Sequence, residues 1–314
     1  MNASKNPSPA ISVVMPVYNC EKYVSFAIES ILKQSFADFE FIIIDDGSTD
    51  NSVNIINQFR DPRINFICNE VNRGNYPLRN QGMGIARGKY ICVMDADDIS
   101  EPERFGIQYQ FLENNPDVGI CGTFIRNIPS DLVPRFITDH DHLKAAFLSN
   151  NFCSHPSLCI RREIIEKHAL KYNEDYYYSA DFDLCVHALR FTKIQNIPVV
   201  LLRYRRHRDQ ISCAKCRDQE KFADMIRINQ LIESLQFRLE EIPVLLHLRL
   251  MKKQPILEKY KPQAEQWVDK ILEKNKIINY FDQKILEQFL TGYLRLSIDS
   301  FQIRAGHSFR AHQL

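Results

Sequence analysis

Through its first hundred residues the chain alternates short apolar runs with amphipathic stretches. ISVVMPV (11–17) has the length and composition of a buried strand. In residues 21–33, Tyr23, Phe26, Ala27, Ile28, Ile31 and Leu32 fall on one helical face. FEFIII (39–44) is a second apolar strand, cut off by Asp45-Asp46-Gly47. Ser48, Thr49 and Asp50 then precede Val53, Ile55, Ile56 and Phe59, the order of an N-capped helix. RINFIC (63–68) predicts a third strand, and residues 76–87 a helix closed by Gly88. KYICVM (89–94) is a fourth strand, stopped by Asp95-Ala96-Asp97-Asp98, and Pro102 opens a helix to about Asn114. Strands and helices in alternation with short links predict an α/β fold: a mostly parallel central sheet flanked by helices, Rossmann-like in layout.

The second hundred residues are less regular. VGICGTF (118–124), SLCIR (157–161) and IPVVLLRYRRH (197–207) predict strands, the last turning basic at its end, and 139–148 and 180–191 predict helices. From about residue 216 the pattern is purely helical. Phe222, Met225, Ile226, Ile228, Leu231, Ile232 and Leu235 recur at helical spacing, and further helical stretches cover 242–253, 262–279 and 282–298. These patterns predict an α/β domain over residues 1–217 and an all-helical C-terminal extension over 218–314. No internal repeat and no Gly/Ser-rich linker interrupts the chain.

Composition narrows the class. The 314 residues are 45% apolar and 25% charged, enough to bury a core, and single cores stop growing at roughly 250–300 residues. Forty Lys and Arg against 39 Asp and Glu leave a formal charge of +1, so nothing in the bulk charge favours nucleic acid. Nine cysteines, mostly in apolar surroundings such as YICVMD and GICGT, read as reduced buried thiols. The start, MNASKNPSPA, is polar, and no apolar run approaches the ~18–20 residues of a membrane span. A cytoplasmic protein is expected, at most attached to the inner face of a membrane.

In open α/β sheets, ligands bind beyond the carboxyl ends of the strands. Two strands here end in acid, and the second, Asp95-Ala96-Asp97-Asp98, sets three carboxylates within four residues. Such charges repel one another and resist desolvation. A hard divalent cation with oxygen ligands would compensate them and hold a phosphate-bearing substrate. The alternative is a solvated turn at a helix N-terminus, where acids are favoured anyway.

Taken in order, VVMPVYN, DFEFIIIDDGSTDNS and RNQGMGIARGKYICVMDADD resemble glycosyltransferase family 2, closely over residues 11–110 and more loosely to about 215. The resemblance implies the GT-A fold and a metal-dependent inverting glycosyltransferase. Such an enzyme moves a sugar from a nucleotide-diphosphate donor to a glycan or lipid-linked acceptor, as in surface polysaccharide synthesis. Position by position, it implies that Pro16, Val17 and Tyr18 lie beside the nucleotide base and that Asp46 accepts a hydrogen bond from it. Arg79 would lie near the nucleotide or its phosphates. Asp95 and Asp97 match the family's DxD pair, Asp97 binding Mn or Mg directly and Asp95 facing the ribose or a metal-bound water. In Ser179-Ala180-Asp181-Phe182-Asp183, Asp181 stands where members carry the general base, although Ala180 replaces the usual Glu. Asp183 is the competing assignment. Asp181, Leu184 and Cys185 share a helical face, while Asp183 lies about 200° away. YRRHRDQIS (204–212) is similar to the family's Tyr-Arg-x-His segment, so His207 would approach the metal or diphosphate, with Arg205, Arg206 and Arg208 offsetting phosphate charge. A plain exposed basic loop is the alternative.

Two readings with the same fold compete with a transferase. A nucleotidyltransferase would need a glycine- and basic-rich loop after the first strand, where PVYNCEKYV has one Lys and no Gly. A non-catalytic nucleotide-sugar binder finds support only in Ala180. The glycines from Gly82 to Gly88 precede a strand instead of following one, against a dinucleotide fingerprint. Cys213-Ala214-Lys215-Cys216 is a lone CxxC, short of the four ligands of a structural zinc. His155 reads as a structural histidine. The C-terminal helices would pack on the core or on a second subunit. The tail residues Arg304, His307, Arg310 and His312, with Phe301 and Phe309, would give at most a peripheral membrane contact.

Overall fold

The computed structural model describes residues 8–134, 136–207, 210 and 215–310. Arg208, Cys213 and His312, and the side chains of the other tail residues named above, lie outside that description. The chain divides into two compact units: residues 1–138 with 153–216, and residues 139–152 with 217–314.

The first unit is built on one eight-stranded sheet. Its strands are β1 (Ile11–Val17), β2 (Phe39–Asp46), β3 (Ile64–Asn69), β4 (Tyr90–Val93), β5 (Ile99–Ser100), β6 (Val118–Ile128), β7 (Cys159–Arg161) and β8 (Lys193–Arg205), in the order β3-β2-β1-β4-β7-β6-β8-β5. Pairs β1–β2, β1–β4, β2–β3 and β6–β8 are parallel; β4–β7, β6–β7 and β5–β8 are antiparallel. Helices α1 (Val24–Leu32), α2 (Ser52–Ile56), α3 (Asn75–Ile85), α4 (Arg104–Asn114), α6 (Arg162–His168) and α7 (Ala180–Ala188) flank it. β2 is buried along its whole length and β1 nearly so, because helices cover both faces; hence these strands are continuous apolar runs without alternation. The register sets Val17 opposite Asp45 and Val14 opposite Val93. The acidic ends of β2 and β4 therefore emerge at one edge, on either side of β1.

Four local features differ from the sequence expectation. Helix α6 and the two-residue strand β5 carried no signal, being too short for a period to show. Strand β8 begins at Lys193, four residues before the apolar run. Gly88 does not close α3, whose C-cap is Ala86 in extended conformation. Gly88 is small for another reason: a Cβ there would lie 2.4 Å from the Ser12 nitrogen and 2.6 Å from the Ile11 carbonyl carbon. Both contacts are backbone of the central strand and cannot swing away. Gly88→Ala is therefore expected to destabilise the protein by about 1–3 kcal/mol, the cost typical of overpacking. Urea unfolding measures it, and an unchanged midpoint would show that β1 yields freely.

The second unit comprises α5 (His140–Ala146), α8 (Cys216–Leu235), α9 (Val244–Met251), α10 (Lys261–Ile278) and α11 (Gln283–Arg310). It has its own apolar core, with Leu148, Leu231, Leu250, Trp267, Ile271 and Leu286 buried together. Trp267 Nε1 donates to Nδ1 of His247 at 3.2 Å. Burial pushes the pKa of His247 down to about 3, which keeps the ring neutral and able to accept that bond. Among the described residues no helix is long and apolar enough to cross a membrane.

Candidate active site

The turn after β2 is organised by its own acids. Asp45 accepts from the Ser48 amide at 2.9 Å and from the Ser48 hydroxyl at 2.5 Å, which closes the DDGS turn around Gly47 at φ +72°. Asn19, after β1, donates its amide to Ser48 Oγ and accepts from the Thr49 amide, tying the two loops together. Asp46 is buried and accepts from the backbone N–H groups of Arg73 and Gly74, both at 2.8 Å. It thus fixes the loop that leads into α3. Gly74, at φ +95°, lies under Tyr177, whose hydroxyl would be 2.7 Å from a Cβ placed there. Pro16 is half-buried and Val17 buried at the end of β1, and Tyr18 stands exposed beyond them.

The turn after β4 brings Asp95, Asp97 and Asp98 together, so that one carboxylate oxygen from each lies within 4.8 Å of the others. Each acid is held differently. Asp95 pairs with the guanidinium of Arg79, which is almost completely buried on α3. Asp97 Oδ2 lies 2.9 Å from His207 Nε2. Asp98 is fully buried; its Oδ1 accepts from the Arg205 amide at 2.8 Å and its Oδ2 has no partner. Burial pushes the carboxyls of Asp95 and Asp98 up, and the charge of Asp97 adds to both. Burial first, then the charges of Asp97, Asp50, Asp95 and Asp98, push the Cys20 thiol up to about 12.

The basic end of β8 is stitched to this turn. Arg205 donates Nε to the Asp97 carbonyl at 2.8 Å, and its guanidinium sits 4.7 Å from the centre of the Tyr23 ring. The His207 ring lies 5.0 Å from the same tyrosine. Arg205 is thus committed to the turn itself, while Arg206 is exposed. Three carboxylates, one of them with an orphaned buried oxygen, form side-chain ion pairs with one guanidinium and one imidazole among the described residues. That surplus of hard oxygen donors fits Mg or Mn, and would not fit a soft, thiolate-seeking metal.

Asp181 enters from the N-terminus of α7. Its Oδ1 accepts from the Tyr76 hydroxyl at 3.2 Å. Its charge also raises the Asp95 carboxyl, so the two acids lie within electrostatic reach of each other. Tyr76 is stacked on Tyr172, with ring centres 5.4 Å apart and planes at 22°. Asn80, one turn along α3, donates to the Tyr172 carbonyl and accepts from its amide, both at 2.9 Å. The Tyr172 hydroxyl is 2.8 Å from His155 Nε2. Burial, then the charge of Arg79, pushes His155 well below the usual range, so this histidine stays neutral. Ala180 is fully buried.

Within the first unit, then, Asp46, Arg79, Asp95, Asp97, Asp181 and His207 line one end of the sheet. The residues without an individual role in the sequence reading are Asp98, Tyr76 and Tyr23. Asp98 was legible only as one acid in a cluster. Tyr76 and Tyr23 had no signal, since each looks like an ordinary aromatic at the start of a helix. Gly82 of α3 serves packing: a Cβ there would meet Val14 Cγ1 at 2.4 Å, so the gap lets the helix lie on the sheet.

Residues 12–169 match Glycosyl transferase family 2. An uncharacterized glycosyltransferase of Methanocaldococcus jannaschii is 36% identical over 208 residues, covering 63% of this chain and 71% of that one. An Escherichia coli relative, the UDP-Glc:alpha-D-GlcNAc-diphosphoundecaprenol beta-1,3-glucosyltransferase WfgD, is 26% identical over 220 residues, 69% of this chain and 85% of that one. Among solved structures, Staphylococcus aureus TarS 1–349 in complex with UDP-GlcNAc superposes with a TM-score of 0.62 at 17% identity, over 96% of this chain and 92% of that one. This last likeness is one of fold, the GT-A arrangement of mixed sheet and helices.

Proposed function

The chain belongs to glycosyltransferase family 2, and from that membership we propose that it moves a sugar from a nucleotide-diphosphate donor to a lipid-linked glycan by single displacement with inversion. The observation that carries this reading is the opposition of two acidic groups at the sheet edge: the triad Asp95, Asp97 and Asp98 on one side, and Asp181 on the other. Asp97 and Asp95 are the residues that would hold Mn or Mg, with Asp98 behind them and His207 beside Asp97. When bound, the metal supplies charge neutralisation for the diphosphate leaving group. Asp46 orders the Arg73–Gly74 backbone, and Pro16, Val17 and Tyr18, at the exit of β1, would lie beside the nucleotide base. Arg79 orients Asp95.

Asp181 acts as general base. It takes the proton of the acceptor hydroxyl as that oxygen bonds to the anomeric carbon. The bond from that carbon to the β-phosphate oxygen breaks, and the nucleoside diphosphate leaves with the electron pair. The relative named for UDP-Glc and a diphosphoundecaprenol acceptor supports the reading of a UDP-sugar donor and a lipid-linked acceptor here, with the reaction at the inner face of a membrane in surface polysaccharide synthesis.

Thermal shifts with UDP-, GDP-, dTDP- and CMP-sugars, each with and without Mn, test the donor. A ligand that binds only the native state raises the melting point by mass action, so a UDP-sugar with Mn is expected to give the largest rise. Equal, metal-independent shifts for all four would remove the donor assignment.

A further inference from the structure

We propose that Tyr76 is the positioning residue for the base, its hydroxyl fixing the Asp181 carboxylate toward the acceptor and holding it ionised. This rests on the reading of Asp181 as base and deepens it.

The geometry is specific. Tyr76 is the second residue of α3 and Asp181 the second of α7, and their side chains meet through one hydrogen bond at 3.2 Å. Tyr76 is itself immobilised. It is buried, it lies against the Tyr172 ring, and Tyr172 is held by the two Asn80 bonds and by His155. A rigid donor fixes the carboxylate rotamer at little entropic cost. The phenol stays protonated throughout, since burial and then the charge of Asp181 push its pKa well above the usual tyrosine value.

The electrostatics show what such a donor adds. Asp181 interacts with Tyr76 on α3, Asp95 on the acidic turn, Tyr172 on the segment before α7, and Cys185 on its own helix. Asp95 disfavours a second negative charge in the same space, and Arg79 is already committed to Asp95. An O–H donor stabilises the anion without adding a cation that would compete for the diphosphate.

Tyr76→Phe removes the hydroxyl and keeps the ring stacked on Tyr172. Three variants are compared for hydrolysis of UDP-glucose in Mn, and for titration of the aspartate carboxyls by ¹³C NMR, where Asp181→Asn identifies the Asp181 signal. In Tyr76→Phe, turnover is expected to fall roughly tenfold, the scale of one hydrogen bond to a charged group. Loss of the donor destabilises the anion, so the Asp181 signal and the acidic limb of the rate profile move to higher pH. Tyr172→Phe, which loses only the bond to His155, is expected to leave that signal in place. An Asp181 signal that does not move in Tyr76→Phe overturns the inference, whatever the turnover. The base reading fails separately, if Asp181→Asn hydrolyses donor at the wild-type rate.

Discussion

Asp181→Asn is expected to lose about 10²–10⁴-fold in turnover, the range a positioned general base supplies, and to keep nucleotide affinity. The amide has the shape of the carboxylate and its oxygen still accepts from Tyr76, so the site keeps its geometry and loses only the proton acceptor. A fall in kcat with unchanged donor binding is the signature of an interaction made in the transition state. Asp183→Asn is the companion variant. Both acids lie in the first turn of α7, but it is Asp181 that meets Tyr76 and whose charge reaches Asp95. Full turnover in Asp183→Asn with loss in Asp181→Asn settles which carboxylate is the base; the reverse result reassigns it.

Asp97→Ala is expected to abolish the gain in nucleotide affinity that Mn gives the wild type. Isothermal titration with UDP, with and without Mn, measures this. The loss should reach at least about 10–100-fold, a scale on which even outer-shell changes weaken metal sites. The same substitution has an opposite effect on the protein in chelator. Asp97 raises the carboxyl pKa of both neighbours, Asp95 and Asp98, which means that three acids strain against one another when no cation is present. Removing one relieves that repulsion, at the cost of its bond to His207. Resistance to unfolding in chelator should therefore be no lower than wild type, while stabilisation by Mn disappears. A variant that unfolds early in chelator and still gains from Mn would show Asp97 to be structural.

The strands and helices were legible in the sequence because their signals are local. A strand covered on both faces must be a continuous apolar run, as in FEFIII, and a helix must repeat its apolar positions every three to four residues, as between Phe222 and Leu235. The acids that end β2 and β4 were legible for the same reason, whereas the DxD pair and the assignment of Asp181 were implied by the resemblance to glycosyltransferase family 2. Spacing along the chain could not supply the strand order, in which β7 and β6 separate β4 from β8. Nor could it show that β5 pairs with β8 and so carries Asp97 to His207, 110 residues away, or that Tyr76 meets Asp181 across 105 residues. Those partners are chosen by how the sheet closes and by which buried groups must find hydrogen bonds once water is gone. Gly88 was misread on the same ground: a small residue after a helix suggests a cap, and only the nearby backbone of Ser12 shows that the room was needed for the sheet. The sequence by itself determined the strands and helices this protein is built from and the acidic ends of two of its strands. The tertiary structure decided which side chains hold the acids in place, because that depends on distances between segments that no local pattern encodes.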